Sequence, residues 1–112
     1  MIENAINFEK EVAKVILKKN YDVLPSGMHK NYDFYINVNE KKILIEVKVW
    51  RKSPPYSIIR RTVERLSEAV INESASEGIL VTQKPLRIDG EISKENNVKL
   101  MTLNELKRYL SI

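Results

Sequence analysis

Ile43-Leu44-Ile45-Glu46-Val47-Lys48-Val49-Trp50 is the stretch on which the fold turns. Its β-branched and apolar residues predict a strand over 43–50. Successive side chains alternate across a strand, so Glu46 and Lys48 share one face, and Ile43, Ile45, Val47 and Val49 share the other. Charges in so apolar a run carry a desolvation cost. The bland reading is a solvated face or a charge-blunted sheet edge. Glu-x-Lys also occurs at Glu40-Lys41-Lys42 and Glu105-Leu106-Lys107, but only Glu46-Val47-Lys48 lies inside a strong β run.

Just upstream, 32–38 alternates as well. Tyr32, Phe34, Ile36 and Val38 fall on one face, and Asp33, Tyr35 and Asn37 on the other. With Asn39 to Lys42 as a polar connection, the two runs form a β-hairpin. Val38 then faces Ile43, Tyr35 faces Glu46 and Asp33 faces Lys48. Asp33 is diagonal to Glu46, at roughly 7 to 8 Å between backbones. Two carboxylates so placed can converge on one cation. A loop one residue longer or shorter would put them on opposite faces.

The surrounding pattern is α/β. Ala5, Val12, Ala13 and Ile16 recur at helical spacing and predict a helix over 5–19, ended by Asn20. A short strand over 21–24 stops at Pro25, and Ser26-Gly27 opens a loop. After Ser53-Pro54-Pro55, a helix over 57–74 buries Ile59, Val63, Leu66 and Val70. Ile79-Leu80-Val81 reads as a buried strand. A polar segment follows with a turn at Asp89-Gly90, then a strand over 98–101 and a helix over 103–110. The order α-β-β-β-α-β-β-α predicts a mixed sheet of about five strands flanked by helices, in one domain spanning 1–112.

Composition narrows the chemistry. The 112 residues include no cysteine and one histidine, which leaves no thiolate or histidine-rich metal site. Any metal would be hard and oxygen-ligated. No apolar run approaches the roughly 20 residues that span a membrane, and the N-terminus lacks signal-peptide character. A cytoplasmic location is expected. The net charge of +4 suits a phosphate-bearing partner without demanding one.

Phosphodiester hydrolysis needs charge stabilisation on the phosphoryl oxygens and a nucleophilic water, and a divalent ion serves both needs. Mg²⁺ takes a few carboxylates plus waters and phosphate oxygens. Asp33 and Glu46 are the candidate ligands, with the backbone carbonyl of Val47 as a third. Lys48 would orient the water or stabilise developing charge. Glu9 lies at helical spacing from the apolar stripe, where an unpartnered Glu is rare. Glu11 falls nearer the polar face with Asn7, Lys14 and Lys18. Glu9 is therefore the third candidate carboxylate, against the bland reading of a helix-boundary Glu that escapes to water.

Asn7-Phe8-Glu9-Lys10, Asn20-Tyr21, Asp33 and Ile45-Glu46-Val47-Lys48 together resemble the PD-(D/E)xK restriction-endonuclease-like nucleases. Over residues 5–50 the spacings are similar to those of archaeal Holliday junction resolvases. The tail from Val98 to Leu106 looks more like Mrr-type restriction nucleases. The resemblance implies a restriction-endonuclease-like fold and a Mg²⁺-dependent endonuclease acting on duplex or branched DNA, with Mn²⁺ able to substitute. It implies Glu9, Asp33, Glu46 and Lys48 as the catalytic set, and Ser26 as a loop serine near the scissile region. Tyr32 stands where that pattern has proline.

Other candidate DNA contacts are His29 and Lys30 before the motif, and Arg51, Lys52, Arg60 and Arg61 after it. For each, a solvated surface is the competing reading. Symmetric cutting of both strands would require a homodimer. The rival functions are a non-catalytic DNA-binding or assembly subunit, and a nuclease of RNA or single strands.

Overall fold

The computed structural model describes residues 2–26, 31–86 and 97–111. His29, Lys30 and the Asp89-Gly90 turn lie outside these. Among the described residues, eight elements follow in the expected order: α1 (Ile2–Lys18), β1 (Leu24–Pro25), β2 (Phe34–Val38), β3 (Lys41–Lys48), α2 (Tyr56–Asn72), β4 (Glu77–Thr82), β5 (Val98–Thr102) and α3 (Leu103–Tyr109). The strands form one sheet in the order β1-β2-β3-β4-β5. The first three are antiparallel, and β3, β4 and β5 run parallel.

Two apolar clusters divide the sheet's faces. One joins Phe8, Val12 and Ile16 of α1 and Leu106 of α3 to Phe34, Ile36, Ile43, Ile45, Ile79 and Val81. The other joins Ile59, Val63, Leu66 and Val70 of α2 to Leu44, Leu80 and Val98. Helices thus cover both faces of a mixed sheet, which is the restriction-endonuclease-like architecture. The α2 stripe is buried as its spacing predicts. In α1 the stripe is Phe8, Val12 and Ile16, whereas Ala5 is exposed. Phe8 sets that phase, because a phenyl ring hides far more apolar surface than a methyl group.

Local signals end the elements. Asn20 adopts φ 68, and the N–H of Tyr21 returns to the carbonyl of Ile16 at 3.3 Å, closing α1. Pro25 belongs to β1 rather than stopping it, since an edge strand tolerates a residue without N–H. Thr102 caps α3 reciprocally with Glu105.

The hairpin register differs from the expected one by two residues. Val38 pairs with Lys41 and Tyr35 with Leu44. Asn39 and Glu40, at φ 51 and 69, make a two-residue turn with both central residues left-handed. Such a turn matches strand twist better than a four-residue loop does. Lys41 and Lys42 are accordingly strand residues. A shift of two preserves the faces, because the side-chain period is two.

The alternation expected for Tyr32 also fails. Tyr32 packs with the α2 cluster, and Phe34 with the α1 cluster. Residues two apart in a regular strand share a face, so the chain turns over at Asp33.

Gly78 marks a close approach of α2 to the sheet. A Cβ there would lie 2.7 Å from Leu66 Cγ and 3.1 Å from Val70 Cγ2. Gly78→Ala should therefore lower unfolding free energy by about 1–3 kcal/mol. Urea denaturation measures it, and unchanged stability would contradict so tight a contact.

Candidate active site

The site begins where β2 and β3 part. The last strand pair is Phe34 with Ile45, and the N–H of Asp33 then donates to the Ile45 carbonyl at 2.9 Å. β3 continues to Lys48, held on its other side by β4, with Val47 opposite Val81 and Lys48 opposite Thr82. Its next N–H toward β2, that of Val47, donates to Asp33 Oδ2 at 2.7 Å. A carboxylate thus takes the place of a strand carbonyl.

Glu46 approaches Asp33 from the same strand. Leu44 and Trp50 pack on the α2 side and Val47 and Val49 on the α1 side, so alternation puts Glu46 and Lys48 toward α2. Burial first, then a hydrogen bond to Asp33 and that residue's charge, raise the Glu46 pKa from 4.5 to about 9. Lys48 and the N–H of Val47 pull the other way. Two carboxyl groups at hydrogen-bond range retain a proton, because both cannot ionise cheaply without a cation.

Glu9 comes from the α1 side. It and Asp33 line one cavity of about 370 Å³, with Lys10, Ala13, Val23 and Phe34 among its walls. Burial and the Asp33 charge raise the Glu9 pKa. Glu9 is half-buried, whereas Glu11 is exposed. Glu46 does not line this cavity. Among the described residues, no three acidic or histidine side chains converge closely enough to enclose a metal unaided. The geometry offers a tight Asp33–Glu46 pair with Glu9 further out. Mg²⁺ commonly keeps several waters beside one or two carboxylates, so this donor set fits it.

The remaining candidates fall into two groups. Ser26 sits beside the pair, its N–H 3.4 Å from the Asp33 carbonyl. Arg51, Lys52, Arg60 and Arg61 are exposed. Lys52 joins Trp50, Gln83 and Lys84 around a recess of about 80 Å³. Arg60 is paired with Glu64 on the surface of α2, at 3.0 Å. Trp50 is partly buried against the α2-side core.

Sequence reasoning missed one cluster next to the site. The Tyr32 hydroxyl donates to Glu73 Oε1 at 2.7 Å, and Lys42 Nζ lies 3.1 Å from the same oxygen. Lys42 also stands 4.4 Å above the Tyr35 ring. Nothing local announces this: Glu73 lies 41 residues beyond Tyr32.

The chain matches the restriction endonuclease family Mrr_cat over residues 4–110. It belongs to that family of PD-(D/E)xK nucleases. No curated protein matches it by sequence. Among solved structures, Pyrococcus furiosus SfsA in complex with Ca²⁺ aligns with TM-score 0.51 and 18% identity. The match covers 85% of this chain and 53% of that one, so the chain spans about half the length of this structural neighbour. At this identity the likeness is one of fold. Among the described residues, no helix is long and apolar enough to cross a membrane.

The Glu46 proton has a consequence for stability. An unfolded glutamate loses its proton near 4.5, and the folded one holds it to about 9. The folded state therefore binds more protons between these values. In metal-free protein the contribution of Glu46 to stability is fully present below 4.5 and is lost as pH rises through that window. The raised Glu9 contributes with the same sign. Calorimetry should show the Tm of the parent falling relative to that of Glu46→Gln across the window. A parent-minus-variant Tm difference that stays level or rises with pH would contradict the paired-carboxyl geometry.

Proposed function

We propose that residues 1–112 act as one divalent-cation-dependent endodeoxyribonuclease domain, hydrolysing phosphodiester bonds in duplex or branched DNA. The observation that carries this reading is the Asp33–Glu46 pair, drawn together at the Val47 N–H and keeping a proton. A cation of the Mg²⁺ or Mn²⁺ type would take that proton's place. The Ca²⁺ in the structural neighbour supports a hard, oxygen-seeking ion on this fold.

Asp33 and Glu46 would hold the ion, with the Val47 carbonyl as a further oxygen. When bound, the ion supplies Lewis acidity toward the scissile phosphoryl group. Lys48, whose charge reaches Glu46, stabilises negative charge building on the phosphoryl oxygens or orients the attacking water. Glu9, across the cavity from Asp33, orients that water and draws on its proton. Lys52 and Arg51, just past β3, would meet flanking phosphates; Ser26, just past β1 with its N–H 3.4 Å from the Asp33 carbonyl, would approach the scissile region. Arg60 and Arg61 extend the basic surface along α2. Cytoplasmic DNA is the proposed setting. One domain carries one site, so cutting both strands of a duplex or a four-way junction would use a homodimer.

Cleavage assays with Mg²⁺ or Mn²⁺ on linear, nicked, flapped and four-way DNA, with RNA alongside, test this reading. Asp33→Asn and Glu46→Gln should each reduce cleavage at least about 100-fold without unfolding the protein. Glu9→Gln should lose about 10 to 100-fold, as expected of an outer carboxylate. Glu11→Gln should cut like the parent. Near-parental cleavage by both Asp33→Asn and Glu46→Gln would sink the assignment. Cleavage of RNA alone would move the substrate class.

A further inference from the structure

Asp33 occupies a place that its own charge opposes. Its carboxylate raises the pKa of both Glu46 and Glu9, one from each side of the sheet. Asp33 also stands just beyond the last strand pair of β2, where its N–H still reaches the Ile45 carbonyl at 2.9 Å but its side chain has no strand partner to set its direction. The side chains flanking it explain how it stays. Phe34 is buried on the α1 side and Tyr32 on the α2 side, at 3% and 4% exposure. The ring of Tyr32 lies in the second core cluster, and its hydroxyl donates to Glu73 Oε1 at 2.7 Å.

Glu73 is the residue at which α2 ends, and its N–H returns to the Ala69 carbonyl at 3.0 Å. Its carboxylate is further held by Lys42 of β3. The Tyr32 hydroxyl is therefore fastened to a rigid corner built from α2 and β3. Burial, then the bond to Glu73, raise the phenol pKa and keep the hydroxyl a donor. A hydrogen bond to a carboxylate is stronger than one between neutral groups.

We propose that Tyr32 is a positioning residue: its tether to Glu73 turns the chain over at Asp33 and so aims the Asp33 carboxylate at the Val47 N–H and the cation site. The consequence for metal rests on the nuclease reading; the aiming of Asp33 at Val47 does not. Tyr32 touches neither substrate nor ion. It acts through the backbone of its neighbour, and Lys42 acts on Glu73 without bonding Tyr32.

Two measurements on the full chain separate these levels. The first is amide hydrogen exchange by NMR in metal-free protein. Tyr32→Phe keeps the ring and deletes the hydroxyl. It should speed exchange at Val47 about tenfold, more than at Leu80 in the middle of β4. Glu73→Ala should do the same from the other end. Equal effects at Val47 and Leu80, or none, would overturn the tether.

The second is Mn²⁺ affinity by calorimetric titration. Tyr32→Phe should weaken it about tenfold, the low end for groups supporting a metal ligand. Raised Mn²⁺ should restore its cleavage rate. Gly78→Ala, destabilised on the α2–β4 contact, should bind Mn²⁺ like the parent. A Tyr32→Phe affinity equal to that of Gly78→Ala would overturn the positioning role. A parent that binds no Mn²⁺ would count against the nuclease reading, and the exchange at Val47 would still decide the tether.

Discussion

The Val47 N–H donating to Asp33 Oδ2 at 2.7 Å is the contact on which the site depends. A strand that parts from its neighbour leaves unsatisfied N–H groups, and these are costly when water is kept away. Here a side-chain carboxylate answers one of them. The same bond that completes the backbone of β3 fixes Asp33 beside Glu46. Stability of the sheet and placement of the charge are one constraint. The cost is electrostatic: Asp33 stands near two other carboxyl groups, and Glu46 keeps its proton.

The two faces of the sheet contribute differently. From the α1 side comes Glu9, carried just beside the Phe8, Val12 and Ile16 stripe, so helix packing places it over Asp33. From the α2 side come Glu46, Lys48 and the Tyr32–Glu73 contact. The parallel pairing of β3 with β4 holds the strand that bears Glu46 and Lys48 after β2 has turned away. The proposed chemistry sits in mid-sheet, where β2 parts from β3, and the regular pairing of β3 with β4 keeps that break in place.

The hydrophobic periods made most of this legible. The α2 stripe at Ile59, Val63, Leu66 and Val70 and the β3 run could be read directly, because burial there follows spacing. Helix phase distinguishes half-buried Glu9 from exposed Glu11, although the same phase places Ala5 inside and it lies out. The hairpin register was not, since Asn39 and Glu40 give no glycine to mark a two-residue turn. The shared face of the strands survived that error because the slip was by two. The reversal at Asp33 was also hidden. Alternation assumes a regular strand, and Tyr32 leaves it to reach Glu73, a contact that only the assembled sheet and α2 create.

In the proposed nuclease, Asp33 and Glu46 share one divalent cation. Anomalous diffraction from crystals soaked in Mn²⁺ tests it most directly. A single strong peak should appear between the two carboxylates, within coordinating range of both, and should be lost in crystals of Glu46→Gln. A peak elsewhere, or no peak with both carboxylates ordered and still hydrogen-bonded to each other, would contradict it.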